Sequence, residues 1–64
     1  MKTLVKETSS AIETIVVDAE NKTASYVKKV VGGDIFTQTM RFESQGSAAE
    51  YGDVLVAAGY TLTL

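Results

Sequence analysis

The stretch Ser47–Leu64, SAAEYGDVLVAAGYTLTL, decides how the rest of the chain reads. Ser47 has N-cap chemistry, and Glu50 follows three residues later, the spacing of a capping box. Tyr51, Val54, Leu55 and Ala58 recur at i, i+3, i+4 and i+7, which puts them on one face of a helix over about 47–58. Gly59 suits the left-handed conformation that stops a helix. Tyr60, Leu62 and Leu64 alternate with Thr61 and Thr63, which predicts a short strand over 60–64. A helix that ends directly in such a strand needs a sheet to cover, and the upstream sequence supplies one.

Ile35–Phe42 alternates most clearly. Phe36, Gln38, Met40 and Phe42 share one side, Thr37, Thr39 and Arg41 the other, and the apolar set is expected under the helix. Glu43–Gly46 reads as the loop into the helix. Before the strand, Gly32-Gly33 predicts a hairpin whose two glycines accept the positive φ values of a type I′ turn. Thr23–Val31 reads as a strand, with Tyr26, Val27, Val30 and Val31 as its β-formers. Glu20, Asn21 and Lys22 lie in the preceding turn, where Asn21 tolerates positive φ.

Ala11–Asp18 reads as a strand because Ile15, Val16 and Val17 are consecutive and β-branched. Its parity is mixed: Ile12 and Val16 share one face, Ile15 and Val17 the other. Either both faces are covered, by the helix and a partner, or a bulge near Glu13 flips the register. Thr8–Ser10 reads as a turn, and Met1–Thr8 as a short edge strand.

These elements predict a single small α+β domain over 1–64. It has a mixed, mostly antiparallel sheet of four or five strands, one helix on one face and a final short strand. The strand–helix–strand path predicts that the last strand runs parallel to Ile35–Phe42, through a right-handed crossover.

A 64-residue chain buries only about 60% of the surface it exposes when unfolded, so stability as a monomer is marginal. There is no Cys for a disulfide and no Cys or His for a structural zinc. Oligomerisation is the remaining common way to add buried surface, and a homodimer is expected. The absence of His and Cys also removes their catalytic chemistry. No charged leader precedes an apolar run, and no stretch approaches the roughly 18 apolar residues of a spanning helix. A cytoplasmic protein is expected, of the bacterial or phage accessory kind that small chains without a catalytic inventory often represent.

The remaining polar clusters each have a plainer structural reading. Glu50 and Asp53 are i, i+3 neighbours, but both suit the positive end of the helix. Asp18, Glu20 and Asn21 offer oxygen ligands, yet read first as a solvated hairpin turn. Gly32-Gly33 lacks the Lys and Ser/Thr of a phosphate loop, and acids flank the free N–H groups after Gly46-Ser47. No catalytic residue, metal ligand or cofactor site is therefore assigned.

Two binding surfaces are left. The first is a protein-interaction surface, for a partner or for the chain itself, built from Thr37, Thr39, Arg41, Thr61 and Thr63 on the sheet side away from the helix, with Tyr26 as an aromatic anchor. The second is a single-stranded nucleic-acid surface of Tyr26, Lys28, Lys29 and Arg41. Eight acidic against six basic side chains, a net charge of −2, argue against the second. The expected function is a small non-catalytic interaction or regulatory module that self-associates through a sheet edge or a sheet face.

Overall fold

The computed structural model describes residues 1–63. It contains β1 (Lys2–Glu7), β2 (Ala11–Asp18), β3 (Thr23–Val30), β4 (Ile35–Arg41), α1 (Gln45–Ala57) and β5 (Thr61–Thr63). The strands form one five-stranded sheet in the order β4-β3-β2-β1-β5. The α+β class, the single helix in the C-terminal half and the final short strand are as the sequence predicts. Leu64, the end of the expected last strand, lies outside the described residues.

Every pairing is antiparallel. β5 does run in the same direction as β4, but the two occupy opposite edges and never pair. The cause is where the helix sits. It packs mainly on β2 and β1. That face of the central strands carries the fully apolar positions Leu4, Ile15, Val17 and Ala24, which close the core with Leu55. A chain leaving the helix at Gly59 therefore meets the free edge of β1 first. Leu62 falls opposite Leu4, and the Thr63 hydroxyl donates to the Thr3 carbonyl at 3.1 Å. β1 is consequently an interior strand rather than the expected edge.

The helix starts earlier than its capping-box reading. Ser44 is the N-cap, and its Oγ accepts from the Ser47 N–H at 3.0 Å. Ser47 sits one turn inside, and Glu50 caps nothing. The earlier start brings Ala48 to complete burial. The buried stripe is Ala48, Gly52 and Leu55, with Tyr51 half-buried beside it. Val54 and Ala58, expected on that face, are exposed. Small residues at 48 and 52 let the helix lie close to the sheet, where Gly52 abuts the aliphatic stem of Lys2. The stop is as read: Gly59 has φ +101°, its N–H donates to Val56 O, and the Tyr60 N–H reaches back to Leu55 O at 3.0 Å. Those two bonds make a Schellman motif.

The turns hold smaller surprises. Thr8 ties the β1–β2 turn, its hydroxyl accepting from the Ala11 N–H at 3.2 Å. In the β2–β3 turn the positive φ falls on Lys22, at +58°, while Asn21 bonds to Asp18. After β3, only Gly32 has positive φ, at +70°, and the Gly33 N–H donates to Val30 O. That puts Gly32 third in the turn, where a type II turn demands positive φ, and replaces the expected type I′.

Gly52 supplies a direct test of the helix packing. A Cβ at this position would meet Lys2 Cδ at 3.8 Å, an ordinary contact. Gly52→Ala is therefore expected to raise stability by about 0.4–1 kcal/mol, by restricting the unfolded chain without crowding the fold. Urea unfolding measures it, and a lower midpoint would mean that the helix lies closer to the sheet than described.

Candidate interaction surface

Strand parity divides the functional candidates between two faces. Leu4, Ile15 and Tyr26 are successive cross-strand neighbours, and Gln38 continues that row into β4. The helix side thus holds Tyr26, Lys28, Phe36, Gln38 and Met40. The opposite side holds Thr3 and Val5 of β1, Thr14 and Val16 of β2, Ser25, Val27 and Lys29 of β3, and Thr37, Thr39 and Arg41 of β4. Thr61 and Thr63 complete it on β5.

Two rows cross this open side without interruption. One runs Thr39, Ser25, Val16, Thr3, Thr63; the other runs Thr37, Val27, Thr14, Val5, Thr61. Neither row contains a charge. Among the described residues no secondary-structure element covers this side, and Val5, Thr14, Val16 and Val27 are half-buried. The expected interaction residues are therefore brought to one surface, but as its two margins. Thr37, Thr39 and Arg41 lie on one edge strand, Thr61 and Thr63 on the other, about 19 Å away at about 4.8 Å per strand. The centre between them was missed. Its signal was the mixed parity of Ala11–Asp18: no bulge occurs, the register is continuous, and Val16 points to the open side while Ile15 and Val17 enter the core.

Tyr26 does not belong to this surface. It lies on the helix side, where its hydroxyl donates to Glu13 Oε1 at 2.6 Å. The Tyr60 hydroxyl donates to the same oxygen at 3.1 Å, and Lys6 Nζ stands 5.5 Å from the Tyr60 ring centroid. Glu13 sits between Lys6 and Lys28 on the flanking strands. The Tyr26 hydrogen bond holds the Glu13 carboxyl below its ordinary value; partial burial opposes this, and Tyr60, Lys28 and Lys6 assist. The same bond, with burial, pushes the Tyr26 hydroxyl up to about 12. Burial first and Glu13 second raise Tyr60. This seam lets a carboxylate occupy a core-facing strand position, and it ties the end of the helix to the middle of the sheet.

The four nucleic-acid candidates are also separated. Tyr26 and Lys28 are on the helix side, Lys29 and Arg41 on the open side, so they form no common platform. Tyr26 is engaged by Glu13 as well. Asp18, Glu20 and Asn21 remain a turn: the Asp18 carboxylate accepts from the Asn21 N–H and, at 2.7 Å, from its side-chain amide. Those bonds hold Asp18 below its ordinary value. Glu50 and Asp53 are exposed on the helix. An open depression of about 490 Å³ lies beside β5, lined by Val5, Lys6, Glu7, Gly59, Thr61 and Thr63. It exists because β5 pairs only with Thr3–Val5, and it is a notch in the sheet edge rather than a walled pocket.

The helix side is also only partly covered. Phe36 is 52% exposed although it faces the helix side, because α1 does not reach that end of β4. Met40 and Phe42 are half-buried, and Phe42 meets Tyr51 with ring centroids 5.4 Å apart. β4 is otherwise exposed along its length. No protein-family model, curated protein or solved structure matches the chain.

The Glu13 seam fixes how stability depends on pH. The Tyr26 hydroxyl titrates higher in the folded chain than its ordinary value of 10.0, so its contribution is complete below about pH 10 and is lost as pH rises toward about 12. Glu13 titrates lower when folded, so its contribution is present above its ordinary value of 4.5 and is lost as pH falls through the depressed one. Tyr26→Phe is expected to cost about 1–2 kcal/mol at neutral pH and to shrink the alkaline loss. Denaturant unfolding between neutral and alkaline pH measures both; an alkaline profile identical to wild type would remove Tyr26 from this role.

Proposed function

We propose that this chain is a small non-catalytic interaction or regulatory module that self-associates through its sheet. The observation that carries the reading is the incomplete cover of the sheet: one helix over β1 and β2, two uncharged rows of Thr, Ser and Val across the other side, and a largely exposed seven-residue edge strand. An edge of that length without charge or proline along its middle is a pairing surface unless something occupies it. A second copy would supply the apolar burial that 64 residues provide only marginally. The absence of His and Cys supports a binding rather than a chemical role. A cytoplasmic setting and a bacterial or phage accessory role complete the proposal. Among the described residues, no helix is long and apolar enough to cross a membrane.

Sedimentation equilibrium over a roughly hundredfold concentration range tests this reading. An interface built from one small domain's edge or face falls in the weaker size class, so association on the order of micromolar is expected. The average mass should climb from monomer to dimer within that range. A constant monomer mass throughout would overturn self-association and leave the sheet free for a different partner.

A further inference from the structure

The free edge of β4 is self-complementary over the whole of Ile35–Arg41 in the register centred on Gln38, and we infer that a second copy of this chain pairs there, antiparallel, about a two-fold axis at that residue. The inference rests on the self-association reading above and specifies its surface.

Backbone direction on β4 comes first. The Phe42 N–H donates to Lys22 O at 2.8 Å, and Asp34 O accepts from the Val30 N–H at 3.1 Å. Both ends of the β3–β4 ladder thus place even-numbered residues in hydrogen-bonded pairs with β3, and the register between them is continuous. In an antiparallel ladder the two kinds of pair alternate. Ile35, Thr37, Thr39 and Arg41 therefore present their N–H and C=O groups outward, at the open edge.

An antiparallel copy centred on Gln38 sets Thr37 opposite the partner's Thr39 and Ile35 opposite the partner's Arg41. These are hydrogen-bonded pairs, so every outward-facing backbone group of Ile35–Arg41 is satisfied at once. The non-hydrogen-bonded pairs, where side chains approach more closely, set Gln38 against itself and Phe36 against the partner's Met40. Phe36 then gains, from a thioether, the cover that α1 does not give it. The contact is isologous and closes after two copies. Arg41, the one formal charge on the strand, faces Ile35 rather than another charge, so no like charges meet. Among the described residues the other edge strand, β5, has three residues, too short to use this ladder.

The chain has no cysteine, so single-cysteine variants report the register directly. Gln38→Cys puts the thiols at the two-fold axis of a non-hydrogen-bonded pair, whereas Thr37→Cys puts them two residues out of step. Under mild oxidation Gln38→Cys is expected to form a disulfide dimer at least about tenfold faster than Thr37→Cys. Thr39→Pro removes one outward N–H while sparing the ladder to β3, and is expected to weaken association about tenfold or more with the circular dichroism spectrum retained. If that variant unfolds, the cysteine pair decides alone.

Equal oxidation rates for Gln38→Cys and Thr37→Cys would overturn the register. Rapid cross-linking of Thr14→Cys, at the centre of the open face, without cross-linking of Gln38→Cys would overturn the edge and leave self-association standing through the face. Growth of wild-type chains into open-ended assemblies would indicate β4 pairing with β5 of the next copy and would also overturn it. A wild-type chain that stays monomeric would overturn both readings.

Discussion

One helix cannot cover this sheet, and most of the structure follows from that. A helix with its side chains is about 10 Å across, whereas five strands at about 4.8 Å span roughly twice that width. The helix settles where apolar side chains are densest, over Leu4 and Ile15 on β1 and β2. Close approach there is possible because Ala48 and Gly52 present almost no side chain. The consequence is a molecule with a closed half and an open half. On the closed half the core is sealed by Leu55, and the last strand docks on β1. On the open half β4 keeps a solvent-facing surface on both sides, with Phe36 exposed on one and Ile35 on the other.

The Glu13 seam completes the closed half. A carboxylate on the core face of a central strand would be costly if left unpaired. Here two tyrosine hydroxyls donate to it, one from β3 and one from the residue just after the helix stop. Lys6 and Lys28 flank it on the neighbouring strands. Among the described residues no buried side-chain polar atom lacks a hydrogen-bond partner. The seam therefore fixes the helix end and the start of β5 against the sheet, and it orders the closed half without help from β4.

Elements with strong local signals were legible in the sequence. The strand Ala11–Asp18 has its expected bounds, and Gly59 stops the helix as its conformational freedom requires. What was not legible depended on competition between distant choices. Ser44 and Ser47 have the same capping chemistry, and it is Ser44 that caps the helix, in which Ala48 is fully buried. The partner of the last strand depends on which edge the helix exit reaches, which no local pattern encodes. Glu13 looked like a break in alternation because its two hydroxyl donors lie 13 and 47 residues away. The threonine alternation in Ile35–Phe42 and Tyr60–Leu64 did report the open side. It could not report that those threonines form opposite margins, since strand order is a property of the sheet and not of either strand.

Amide hydrogen exchange along β4, followed by NMR at low and high protein concentration, tests the central claim most directly. The Gln38 and Met40 amides are turned to β3 and should be protected at every concentration. The Thr37 and Thr39 amides face the open edge. Our account has them exchanging rapidly in dilute solution and becoming protected as concentration rises. Fast exchange at Thr37 and Thr39 that never changes, while Gln38 and Met40 stay protected, would contradict pairing along this edge.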